Sequence, residues 1–121
     1  MAETETFKLN KDFRRLYGKG KSLVFPSVVV YYKKNQIGKC RYGITVSKKI
    51  GGAVKRNRAK RVIRAAFREI YPKLNGGYDF VFVARVRTTT VKSTVLLNQI
   101  KKGLMQNGVI KPDEKNTSVP D

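Results

Sequence analysis

Apolar residues recur along this chain with two different periods, and the two periods divide it into helices and strands. At about 100° per residue, Ala59, Val62, Ile63, Ala66, Phe67 and Ile70 fall in one stripe about 140° wide. That stripe predicts an amphipathic helix over residues 53–71, closed by Pro72 and a turn at Asn75, Gly76 and Gly77. Residues 23–34 are β-branched and aromatic and predict a strand, with Pro26 marking a bend or an edge near its start. After a turn at 35–38, residues 41–47 alternate Tyr42, Ile44 and Val46 against Gly43, Thr45 and Ser47. This is the period of a second strand, expected to form a hairpin with the first. Residues 78–84 (YDFVFVA) are almost continuously apolar, as in a strand buried on both faces.

Two further helices bracket these elements. Asn10 can cap a short helix over 11–17, ended by Gly18 or Gly20, with Phe13, Leu16 and Tyr17 on one face. A last helix over 90–106 directs Val91, Val95, Ile100 and Leu104 inward and Lys92, Lys101 and Lys102 outward. The order α-β-β(-β)-α-β-α predicts an α+β fold, an α/β two-layer sandwich in which one sheet is covered by helices. Residues 7–110 read as a single domain, and 1–6 and 111–121 as disordered tails.

Charge changes this picture from a fold to a function. The central helix carries seven cations between Lys55 and Arg68 and no anion among them. Asn57, Arg61, Arg64 and Arg68 repeat on the side opposite the apolar stripe, with Lys60 beside them. Solvated helix faces usually mix signs; the only acid on this helix is Glu69. Arginine bonds phosphate through two N–H groups of a planar fork and stacks on bases. Overall the chain carries 27 basic and 8 acidic residues, a net charge of +19. From Thr6 through Lys111 there are 26 cations against Asp12, Glu69 and Asp79, a net of +23. A domain with this balance is expected to bind a polyanion, and its globular composition favours nucleic acid over an anionic membrane.

Composition also excludes. The chain has no His, which removes the commonest general base and zinc ligand. Three scattered acids cannot easily gather the carboxylates of a metal-dependent nuclease. The chain is therefore expected to hold no complete hydrolytic site. No apolar run approaches the roughly 18 residues of a membrane span, and the acidic, polar first six residues are unlike a signal peptide. Cys40 is alone and can form no internal disulfide. An intracellular, cytoplasmic protein is expected.

Two more sets of residues carry candidate chemistry. The SKKIGG stretch at 47–52 precedes the basic helix; its glycines, exposed N–H groups, Lys48 and Lys49 suit either a phosphate or a simple turn. Aromatic residues gather at Phe13 and Tyr17 on the first helix and Phe25, Tyr31 and Tyr32 on the first strand. Neighbours on a strand point to opposite faces, so one of Tyr31 and Tyr32 faces the core and the other meets ligand or water. Aromatic stacking beside a cationic groove is a common way to hold single-stranded nucleic acid.

The stretch GITVSKKIGGAVKRNRAKR at 43–61 closely resembles the signature of the bacterial ribonuclease P protein subunit. Its core is Arg56, Asn57 and Arg58, followed by Lys60, Arg61 and Arg64. DFRRLYGKG at 12–20 is similar to the family's first helix and turn, and YDFVFVAR at 78–85 to its last strand. The likeness spans about residues 7–106. It implies a protein that binds the catalytic RNA subunit and the single-stranded 5′ leader of precursor tRNA, while the RNA holds the catalytic Mg2+ and cuts the leader. It implies that Lys48, Lys49, Lys55, Arg56, Asn57, Arg58, Lys60, Arg61, Arg64 and Arg68 meet the RNA subunit. Phe13, Tyr17 and Tyr31 would line a leader cleft between the basic helix and the sheet. No protein-bound metal, membrane or DNA partner is expected, and the family fold adds a left-handed crossover at the central helix, against the usual hand. Gly52, Ala59 and Ala65 depart from the frequent Asn, larger aliphatic and Glu or Gln, and none lies in the cation row. A ribosomal protein or RNA chaperone would share the charge without an aromatic cleft. A stand-alone nuclease would need carboxylates that the chain lacks.

Overall fold

The alternating and continuous apolar runs are satisfied together by one five-stranded sheet. In a computed structural model of the chain, which describes residues 4–6 and 18–110, the strands are β1 (Thr4–Thr6), β2 (Lys21–Val24), β3 (Val28–Lys34), β4 (Cys40–Thr45) and β5 (Tyr78–Ala84). Their order across the sheet is β1-β4-β5-β3-β2. The helices are α1 (Ala53–Ile70) and α2 (Ser93–Gln106). The fold is the expected α+β two-layer arrangement. The predicted helix over 11–17, with Phe13 and Tyr17, lies outside the described residues, as does the predicted tail at 111–121.

The central helix and its buried stripe match the periodicity. Ala59, Val62, Ile63, Ala66, Phe67 and Ile70 are its buried residues. They join Val28, Val30, Tyr32, Phe80 and Phe82 of the sheet and Leu96, Ile100 and Leu104 of α2 in one core. The Phe67 ring lies at 5.5 Å from Phe80 and 5.3 Å from Phe82, edge to face, which fixes how α1 sits on β5. Burying each of the large apolar side chains of α1 contributes about 1.5–3 kcal/mol, so packing rather than helix propensity holds this charged helix in place.

Four expectations are corrected. The strand predicted over 23–34 is two strands, broken at Pro26 and Ser27, and β2 and β3 pair antiparallel with each other. The predicted hairpin between 23–34 and 41–47 does not form: β5 lies between, antiparallel to β3 and parallel to β4. An apolar strand such as β5 gains most when a neighbour covers each edge, and it takes the centre of the sheet. Thr4–Thr6, expected as tail, pairs in parallel with β4 as an edge strand. The last helix starts at Ser93 rather than residue 90, so Val95 is 43% exposed and Leu96 occupies the core.

Buried polar groups pin the loops. Thr88 Oγ1 donates to the Ser27 carbonyl and accepts from the Arg85 backbone N–H at 2.9 Å. The turn after β5 is thereby tied to the β2–β3 bend, and the buried Thr88 hydroxyl is satisfied. On the sheet face away from α1, Asp79 accepts two bonds from Arg41, at 2.9 and 2.8 Å, and one from Asn35 Nδ2 at 2.8 Å.

Candidate nucleic-acid interface

The basic helix is entered through a short 3-10 turn, Lys48–Ile50, whose two lysines are exposed while Ile50 is buried in the core. Gly51 follows with φ of 141°, and a Cβ there would lie 2.7 Å from Cδ of Lys55, so glycine is required. Gly52 is the N-cap and offers no side-chain bond to the helix; the first turn contains no acid. The positive end of the helix dipole is therefore unopposed by any acid of its own first turn. An anionic ligand is the group that would complete it, and Lys48 and Lys49 stand beside it.

Along α1, Asn57, Arg61, Arg64 and Arg68 are exposed, as the wheel requires when the opposite stripe packs on the sheet. None of the helix's seven cations forms an ion pair among the described residues. Like charges at i, i+3 and i+4 repel, so the row costs stability in the free protein. Arg58 differs from its neighbours. Its Nε donates to the Thr89 carbonyl at 2.6 Å, which fastens α1 to the turn that Thr88 and Ser27 anchor. Arg56 is half-buried, and its Nε is left with no hydrogen-bond partner.

Two depressions flank the row. One of about 450 Å3 is lined by Val54, Asn57, Lys60, Arg61 and Arg64. The other, about 440 Å3, lies between α1 and the start of α2, with Arg58, Arg61 and Lys92 around Val62, Ala65 and Val91. Val54, 81% exposed, and Lys92 belong to this surface and were not among the expected site residues. Val54 could have been found, because it continues the 57, 61, 64, 68 row as an apolar residue outside the core stripe. Lys92 could not, because only the packing of α2 on α1 brings it there. Ala65, with Val62 and Val91, gives this second groove an apolar wall.

Tyr31 is elsewhere. Strand alternation turns Val28, Val30 and Tyr32 toward α1 and Tyr31 away from it, into a separate cluster with Val81 and Val83. The expected cleft between the basic helix and the sheet therefore cannot contain Tyr31. It is the opposite sheet face that carries it, next to the Arg41–Asp79 pair, two residues along the strands. The arginine row and Tyr31 are two surfaces, separated by the sheet.

Among the described residues no three His, Cys, Asp or Glu side chains come together as a metal site, and no helix is long and apolar enough to cross a membrane.

The family model described as Ribonuclease P matches residues 1–107. The ribonuclease P protein component of Pelotomaculum thermopropionicum is 43% identical over 102 residues, covering 84% of this chain and 91% of that protein. That of Thermoanaerobacter sp. (strain X514) is 36% identical over 108 residues, covering 89% and 93%. Among solved structures, the Staphylococcus aureus RNase P protein superposes with a TM-score of 0.76 at 34% identity, covering 90% of this chain and 100% of that one. The Thermotoga maritima RNase P protein gives 0.72 at 30% identity, covering 84% and 96%.

Proposed function

From the premise that this chain belongs to the ribonuclease P protein family, we propose that the exposed row of α1 faces the catalytic RNA subunit. We further propose that the sheet face bearing Tyr31 takes the 5′ leader of precursor tRNA. The family role is that of an RNA-binding protein subunit in an endoribonuclease that processes the 5′ end of tRNA. In this reading phosphodiester hydrolysis takes place in the RNA subunit. Mg2+ is held there and by the substrate. The complex works in the cytoplasm.

The observation that carries the reading is the separation of two surfaces by one sheet. The α1 row presents Asn57, Arg61, Arg64 and Arg68 with no acid paired to them among the described residues, and Lys48, Lys49, Lys55, Arg56 and Lys60 extend it. Arg58 contributes by holding α1 to the Thr89 turn. The far face offers the partly exposed ring of Tyr31 beside Val83, and stacking on an aromatic ring is a common way to hold a splayed single strand. Phe13 and Tyr17, which the resemblance also assigns to the leader, lie outside the described residues.

The test is reconstitution. Protein freed of RNA should not cleave precursor tRNA, whereas protein with the cognate RNA subunit and Mg2+ should release the leader at physiological salt. Cleavage by rigorously purified protein alone would overturn the assignment of chemistry to the RNA.

A further inference from the structure

A second cationic cavity lies where β2, β3 and β5 end beneath the C-terminus of α2, and no residue of α1 lines it. Its volume is about 200 Å3. That is below the roughly 300–1,000 Å3 of pockets for larger organic ligands and suits a small anion. The strand register builds it. Lys21 stands opposite Tyr32 across β2 and β3, and Lys34 opposite Tyr78 across β3 and β5. Strand alternation then places all four side chains on one face. Lys19 and Asn107 complete the wall.

Three observations single this cavity out from an ordinary solvated patch. Tyr32 and Tyr78 are only 4% and 9% exposed, and both line the cavity, so their hydroxyls are available to donate into it. No acid lines it. Asp79, the acid adjacent in sequence, points to the other face and is held by Arg41 and Asn35. Nor are the lysines needed to cap α2. The carbonyls of Gly103, Leu104 and Met105 already accept from Asn107 Nδ2 and from the backbone N–H groups of Asn107, Gly108 and Val109.

We propose that this cavity is a second phosphate-binding site, which holds a backbone phosphate of a bound RNA strand. Lys19, Lys21 and Lys34 balance its charge and the Tyr32 and Tyr78 hydroxyls donate to its oxygens. The identity of the occupant rests on the RNA-binding function; the site itself does not rest on the α1 row. Burial beside Tyr78 pushes the Tyr32 hydroxyl above its ordinary range, so it remains a protonated donor.

The experiment is an amide NMR titration of the full chain, first with inorganic phosphate against chloride at equal ionic strength, then with a short single-stranded oligoribonucleotide. Both should give saturable shifts at Gly20, Lys21, Lys34 and Asn107, and the oligonucleotide should displace phosphate. The Tyr32→Phe, Tyr78→Phe double variant keeps the ring contacts, 6.3 Å between the two and 6.2 Å from Tyr32 to Phe80. It should weaken phosphate binding at these amides by about tenfold or more. Lys34→Gln should also weaken it, and shifts along α1 should not change in either variant. No saturable shift, or variants that bind like the parent, would overturn the site. Phosphate bound without competition by the oligonucleotide would mean an adventitious ion only, and would overturn the RNA assignment. A response here with none on α1 would instead count against the proposed α1 interface and leave this site standing.

Discussion

Replacing Arg61, Arg64 and Arg68 together with Ala isolates the electrostatic part of RNA binding. All three are exposed, and none has an ion pair among the described residues, so the folded state gives up no internal bond. Alanine is a better helix former, and removing three like charges relieves repulsion along α1. The melting temperature should hold or rise. Binding to the RNA subunit should fall, and in a particular way. Removing one cation from a phosphate reduces the slope of log K against log salt by about 0.7–0.9, so the triple variant should be flatter by about 2 to 3. With coincident affinities extrapolated to about 1 M salt, the affinity at about 0.1 M should drop roughly 100- to 500-fold. The assay is a filter-binding or fluorescence titration of the RNA subunit over a series of salt concentrations. Equal slopes for parent and variant would refute the reasoning, because arginines that release no counterions do not sit on phosphates. Arg58→Ala should behave differently, lowering both affinity and stability, since it also breaks the bond to Thr89.

Tyr31→Ala should leave binding of the RNA subunit nearly intact and lower the affinity ratio of precursor to mature tRNA for the reconstituted enzyme. One stacked base is worth about 1–3 kcal/mol, or roughly 5- to 150-fold; an unchanged ratio in a folded variant would remove Tyr31 from the leader surface. Gly77→Ala should destabilise by about 1–3 kcal/mol in a denaturant titration. Its Cβ would crowd Asn35 Oδ1 and lie 2.9 Å from the Lys39 nitrogen and 3.0 Å from the Gly38 carbonyl carbon, and that backbone cannot easily yield. Cys40 offers a pH test. Burial raises its thiol above the ordinary value of 9.0, so the unfolded chain ionises first. The contribution is intact below pH 9.0 and is lost as pH rises from there toward the folded value. Stability of the parent should therefore fall more steeply above pH 9.0 than that of Cys40→Ala, and parallel profiles would show that the thiol is not protected.

The two surfaces of the protein differ in how they were encoded. The arginine row was legible because a helix repeats its faces locally. Once Ala59, Val62, Ile63, Ala66, Phe67 and Ile70 are recognised as one stripe, Asn57, Arg61, Arg64 and Arg68 must lie opposite it, whatever the stripe packs on. The apolar run at Tyr78–Ala84 likewise announced a strand covered on both faces. Those features depend on neighbours within a few residues, and the sequence alone determined them. What it could not determine was which strands would be neighbours. The interposition of β5 between β3 and β4 is decided by where the most apolar strand can be covered on both edges, a choice among distant segments. The features that local pattern misplaced, or could not place, depend on such distant pairings. Tyr31 is separated from the basic helix, because alternation along β3 sets Tyr32 toward α1 and Tyr31 away. Lys92 joins the arginine groove only through the packing of α2. Lys21, Tyr32, Lys34 and Tyr78, spread over 58 positions of the chain, meet because antiparallel pairing across three strands aligns them. Local periodicity assigns a side chain to a face of its own element; only tertiary pairing decides what shares that face.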